Sequence, residues 1–120
     1  MGPRRVRVEN GELLATLASL TGDHADFHAA LAAGHALVDE FESGNAGMDL
    51  VRLTIHVRAA ELALRSMNGL LAGLDGVLLN RPARRLVRRF RATTPDMWST
   101  LAGLDGRARR LGRPASESRA

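Results

Sequence analysis

Apolar residues recur at three- and four-residue intervals along almost the whole chain, and no apolar and polar alternation is sustained, so the pattern predicts helices and no sheet. Asn10 can cap a helix running to about Leu20, which Gly22 then ends. Asp23 is placed to cap a second helix, to about Glu42, with Asp26 adding negative charge to its first turn. That helix carries Phe27, Leu31, Gly34, Val38 and Phe41 on one stripe. Ser43 to Gly47 read as the clearest loop. Asp49 restarts a long helix toward Leu79, and Pro82 interrupts it. Thr94 followed by Pro95 forms an N-cap and N1 pair for a last helix, stopped by Gly112, Arg113 and Pro114.

The long helix has the most regular spacing. Leu50, Val57, Leu64, Leu71 and Leu78 are seven apart, and Leu53, Ala60, Met67 and Leu74 fill the complementary position of a heptad seam. Such a seam must be buried, either as the core of an antiparallel bundle or with one side against another subunit. Gly69, Gly73 and Gly76 share a face of the same segment. Glycine inside a helix costs about 0.5 to 1 kcal/mol relative to alanine, so three of them imply a closely approaching neighbour or a helix that ends near Gly76. The expected fold is all-α, a small helical bundle or helical hairpin with one long heptad-patterned helix and an arginine-rich C-terminal helical segment.

The 120 residues suit one domain. It is expected over residues 10–111, with an acidic body at 10–80 and an arginine-rich part at 81–111, between a basic arm at 1–9 and a tail at 112–120 of disorder-prone composition. Charge sharpens the division. Residues 81–120 hold eleven arginines against three acids, whereas residues 8–80 hold three arginines against ten acids, and the overall +4 conceals this split. The asymmetry points to an acidic or polyanionic partner or to self-association.

All 17 basic residues are arginine, and cysteine is absent, which excludes a disulfide framework, a thiolate nucleophile and a zinc-finger ligand set. The first ten residues carry no apolar signal-peptide core, which gives a cytoplasmic default for a location otherwise unknown. The longest nearly apolar run, Gly69 to Leu79, contains Asp75 and is too short to span a bilayer. With no glycine-rich phosphate loop, no activated serine setting and the acids Asp39 and Glu40 on different sides of a helix, no enzyme activity and no cofactor is expected.

His24, His28 and His35 lie near one line of a helix, with Asp39 and Glu42 close by. A metal site needs a third or fourth ligand, and His35 lies nearly two turns from the His24 and His28 pair, so this flank is expected to be metal-free. A short string recurs as Leu17 to Gly22, Leu71 to Gly76 and Leu101 to Gly106. Each copy reads as a helix ending, with two leucines facing the core and a closing glycine.

Arg81, Arg84, Arg85, Arg88, Arg89 and Arg91 surround a stripe of Leu86, Val87 and Phe90, as in a short basic amphipathic helix. Guanidinium groups suit bidentate contacts with phosphates or carboxylates, so these six are the candidate polyanion-binding residues. The alternative role is neutralisation of the acidic half of the same molecule or of a neighbour.

From Asp23 to Asn80 the layout resembles the small inner-rod subunits of type III secretion systems and the related flagellar basal-body adaptors. The similarity lies in DHADFHAAL on an amphipathic helix, the break FESGNAGMDL, and RAAELALRSMNGLLAGLDGVLLN on the following helix. The resemblance implies a non-catalytic subunit packed into a tubular polymer, although forty arginine-rich residues follow where such subunits usually end. The sequence thus leads to a non-enzymatic structural or interaction protein that self-associates or binds a helical partner through Leu50, Leu53, Val57, Leu64, Met67, Leu71, Leu74 and Leu78. The alternative is an arginine-rich module for nucleic acid or another polyanion.

Overall fold

The structure, a computed structural model, describes residues 10–45 and 47–111. Among them are three helices and no strand: α1 (Asn10–Glu42), α2 (Leu50–Gly73) and α3 (Arg81–Leu111). The protein is an all-α helical bundle. The basic arm at 1–9 and the tail at 112–120, including the expected stop at Gly112 to Pro114, lie outside the described residues.

α1 runs unbroken through Gly22, where the sequence suggested two helices. Leu13, Leu20 and Phe27 are seven apart and all buried, so the apolar face continues across the glycine in register. A helical glycine costs only about 1 kcal/mol, whereas burying each leucine or phenylalanine of the next turns gains about 1.5 to 3 kcal/mol. Continuation wins, and Asp23 sits inside the helix instead of capping one. The true end is a Schellman closure. Gly44, at φ +78°, takes the left-handed conformation, its N–H donates to Phe41 O at 3.0 Å, and the Asn45 N–H donates to Glu40 O at 3.0 Å.

Asp49 caps α2 as expected, its carboxylate accepting from the Arg52 N–H at 3.0 Å. α2 stops at Gly73, short of Leu79, in a turn where Val77 N–H donates to Leu74 O and Gly76 has φ +73°. This is the only copy of the repeated string that ends a helix; Gly22 and Gly106 lie inside α1 and α3, whose core faces carry on past them. Leu78 therefore falls outside the seam and is 47% exposed, and Leu50, at the first turn beside the loop, is 46% exposed. Between these ends, Leu53, Ala60, Leu64, Met67, Leu71 and Leu74 are buried and Val57 is half-buried.

Asn80 caps α3, with Oδ1 accepting from the Ala83 N–H at 2.9 Å. Pro82 falls in the first turn, where its missing N–H would have had no partner anyway. Pro95 does not begin a separate helix but lies within α3. Its ring removes the backbone donor to the Arg91 carbonyl, and Thr94 Oγ1 donates to that oxygen at 3.1 Å instead. Ala83, Val87, Phe90, Met97, Leu101 and Leu104 are buried at three, four or seven residue spacing, so one apolar face spans the proline.

The three buried faces form one cluster, with Phe27, Leu20, Leu53, Leu64, Met67, Leu104 and Val38 the most fully enclosed. The two connections reverse the chain, leaving α1 and α3 parallel. Leu13 and Leu17 thus lie near Ala83 and Leu86 at one end. Further along, a Cβ on Gly34 would come within 2.7 Å of Leu104 Cδ2. Glycine permits that approach.

Candidate polyanion-binding surface

α3 turns two different faces outward and inward at its N-terminal half. Ala83, Val87 and Phe90 face the core, while Arg81, Arg84, Arg85, Arg88 and Arg89 are exposed. At 3.6 residues per turn the five arginines occupy an arc of about 140°, over an axial length of about 12 Å. Four of them, Arg81, Arg84, Arg85 and Arg88, line a shallow surface recess. None of the five pairs with a carboxylate among the described residues.

Most other described arginines are engaged. Arg58 and Arg65 share Glu61 at 3.3 and 2.9 Å, and Arg109 pairs with Asp105 at 3.0 Å. Arg107 reaches Asp39 at 3.0 Å and Glu42 at 3.1 Å. Arg52 and Arg110 also lack carboxylate partners among the described residues but do not form a cluster. Arg91, expected in the anion-binding set, is instead a clasp inside the fold. It donates to Leu71 O at 2.9 Å, a second bond to a carbonyl that already accepts from the Leu74 N–H at 3.1 Å, and pairs with Asp75 at 2.7 Å.

The ridge is electrostatically unfavourable for the helix that bears it. A helix N-terminus carries partial positive charge and favours acids, yet the first turn of α3 has none. The i, i+4 pairs Arg81 and Arg85, Arg84 and Arg88, and Arg85 and Arg89 each oppose helix formation by about 0.2 to 0.5 kcal/mol. Nothing in the described fold relieves this repulsion.

The histidine flank separates into two unlike places. His24 Nε2 and His28 Nε2 are 3.2 Å apart, and the His24 ring lies 5.5 Å from that of Phe90. Burial, and then the neighbouring His28 charge, lower the His24 pKa below its ordinary 6.5. His35 Nδ1 accepts from Arg107 Nη1 at 2.8 Å, so His35, Asp39 and Glu42 converge on an arginine 65 or more residues away in sequence. The Arg107 pKa is raised chiefly by its hydrogen bond to Asp39. Among the described residues no three His, Cys, Asp or Glu side chains converge where they could hold a metal ion.

The sequence reading missed Arg107, although a signal existed. Asp39, Glu40 and Glu42 crowd the C-terminus of α1, where the helix dipole disfavours acids and no basic residue occupies the last turn. A cation from elsewhere in the chain is the simplest compensation. No described helix is long and apolar enough to cross a membrane. No family model, no curated protein and no solved structure matches the chain.

Proposed function

We propose that this protein is a non-enzymatic interaction module that binds a polyanion, the phosphate backbone of nucleic acid, through Arg81, Arg84, Arg85, Arg88 and Arg89. The observation that carries this reading is the division of the arginines. The acids of α1 and of the α2 end that have partners are neutralised by Arg107 and Arg91, leaving the ridge uncommitted and its mutual repulsion uncompensated. An external anion would relieve that repulsion and meet guanidinium groups suited to bidentate phosphate contacts. The ridge is arginine alone, a side chain that pairs bidentately with phosphate oxygens and can also meet guanine edges, so backbone contacts carry the binding and any base preference is limited to guanine.

Titration of labelled duplex DNA at low salt tests the proposal. The parent should bind and a variant with Arg84, Arg85, Arg88 and Arg89 changed to Ser should not, with helix content unchanged. Binding of polyglutamate without binding of DNA would assign the ridge to acidic proteins instead.

A further inference from the structure

Opposite its buried seam, α2 presents a second apolar face that nothing in the described chain covers. Val51, Ile55 and Leu62 are 71%, 57% and 55% exposed there. Ala59, Ser66, Gly69 and Gly73 keep the rest of this ridge low, and the space beside Gly69 and Gly73 is open. Of the two roles the sequence allowed for the glycines, a close helix neighbour or a helix end near Gly76, the fold shows the helix end, and Gly69 and Gly73 face open space.

The two flanks of this face differ in charge. On the α1 side, Asp23 and Asp26 border a groove with Ala59, Leu62 and Ser66, and neither has an ion-pair partner among the described residues. On the α3 side, Arg58 and Arg65 share one carboxylate, Glu61, which leaves that flank positive. Glu61 there borders a recess with Trp98 and Leu101 of α3. The acidic and basic pairs lie at the same height along α2, because Asp23 and Asp26 sit level with residues 59 to 66.

We propose that a second copy of this chain covers this face, with the two α2 helices parallel about a two-fold axis running along them. That operator brings the acidic flank of each copy against the basic flank of the other at equal height. An antiparallel two-fold arrangement would instead set acidic flank against acidic flank. Like charges facing one another across an interface disfavour it, so charge selects the parallel form. In the parallel dimer both arginine ridges lie at one end, although the dimer does not depend on what the ridges bind.

Sedimentation equilibrium of the full chain, with and without variants, decides the matter. Leu62→Asp, an exposed position, should raise the dimer dissociation constant about tenfold or more with helix content unchanged. Asp26→Arg and Arg65→Asp should each weaken the dimer at low salt, and the double variant should restore it. The chain has no cysteine, so Ser66→Cys should give an oxidative cross-link between copies, while Ala36→Cys on the far part of α1 should give none. A chain monomeric at every concentration overturns the proposal. So does a dimer indifferent to Leu62→Asp, a charge swap that fails to restore association, or a Ser66→Cys protein that does not cross-link.

Discussion

His24 shows how one side chain ties the bundle to pH. Its ring is half-buried between α1 and α3 against Phe90, and burial lowers its pKa in the fold below the unfolded 6.5. The unfolded chain therefore binds the proton more readily than the folded one, so stability is full above pH 6.5 and declines as pH falls from there through the lower folded value. Urea unfolding at pH 7.5 and at pH 5 should show this loss, and His24→Leu should remove most of it. Equal pH dependence in parent and variant would show that His24 does not feel the interior. Arg107 works differently, since its pKa is raised and it stays charged throughout this range. Arg107→Met should lower stability by about 1 kcal/mol, a modest value because Asp39 and Glu42 are themselves largely exposed.

At the scale of the helices, two glycines of α1 should respond in opposite directions. Gly22 has open space where a Cβ would go, so Gly22→Ala should stabilise by about 0.5 to 1 kcal/mol. Gly34 is pressed by Leu104, which is fully enclosed, and Gly34→Val should cost about 1 to 3 kcal/mol through overpacking. Thermal or urea melts of the pair provide the check. The helical class, the helix start at Asp49, the turn from Ser43 to Asn45 and the central seam residues were all legible in the sequence, because each follows from local rules. The breaks expected at Gly22 and Pro95 were misread for a physical reason: a local penalty of about 1 to 3 kcal/mol loses to a continuous buried face. The spacing of Leu13, Leu20 and Phe27, and of Ala83, Val87, Phe90, Met97, Leu101 and Leu104, already recorded that continuity. The pairing of Arg107 with α1 and of Arg91 with the end of α2 was not legible, since it depends on how α3 lies against both.

At the scale of the whole molecule, the acidic body and basic end seen in the sequence are not simply complementary halves. The fold cross-links some of them internally, through Arg91 and Arg107, and leaves five arginines displayed on one outer ridge. The seam of α2, meanwhile, is consumed by the core. Leu64 is fully enclosed, so Leu64→Ala should cost about 2 to 5 kcal/mol whatever the state of association. Fold and anion binding are then separable properties of one chain. The most direct measurement is the salt dependence of duplex DNA affinity for the parent and for the protein with Arg84, Arg85, Arg88 and Arg89 changed to Ser. With five arginines engaged, log affinity against log salt should fall with a slope of about −4 to −5, dropping toward −1 when only Arg81 remains. A flat response in the parent, or the same slope and affinity in both proteins, would contradict the assignment of the ridge to a polyanion.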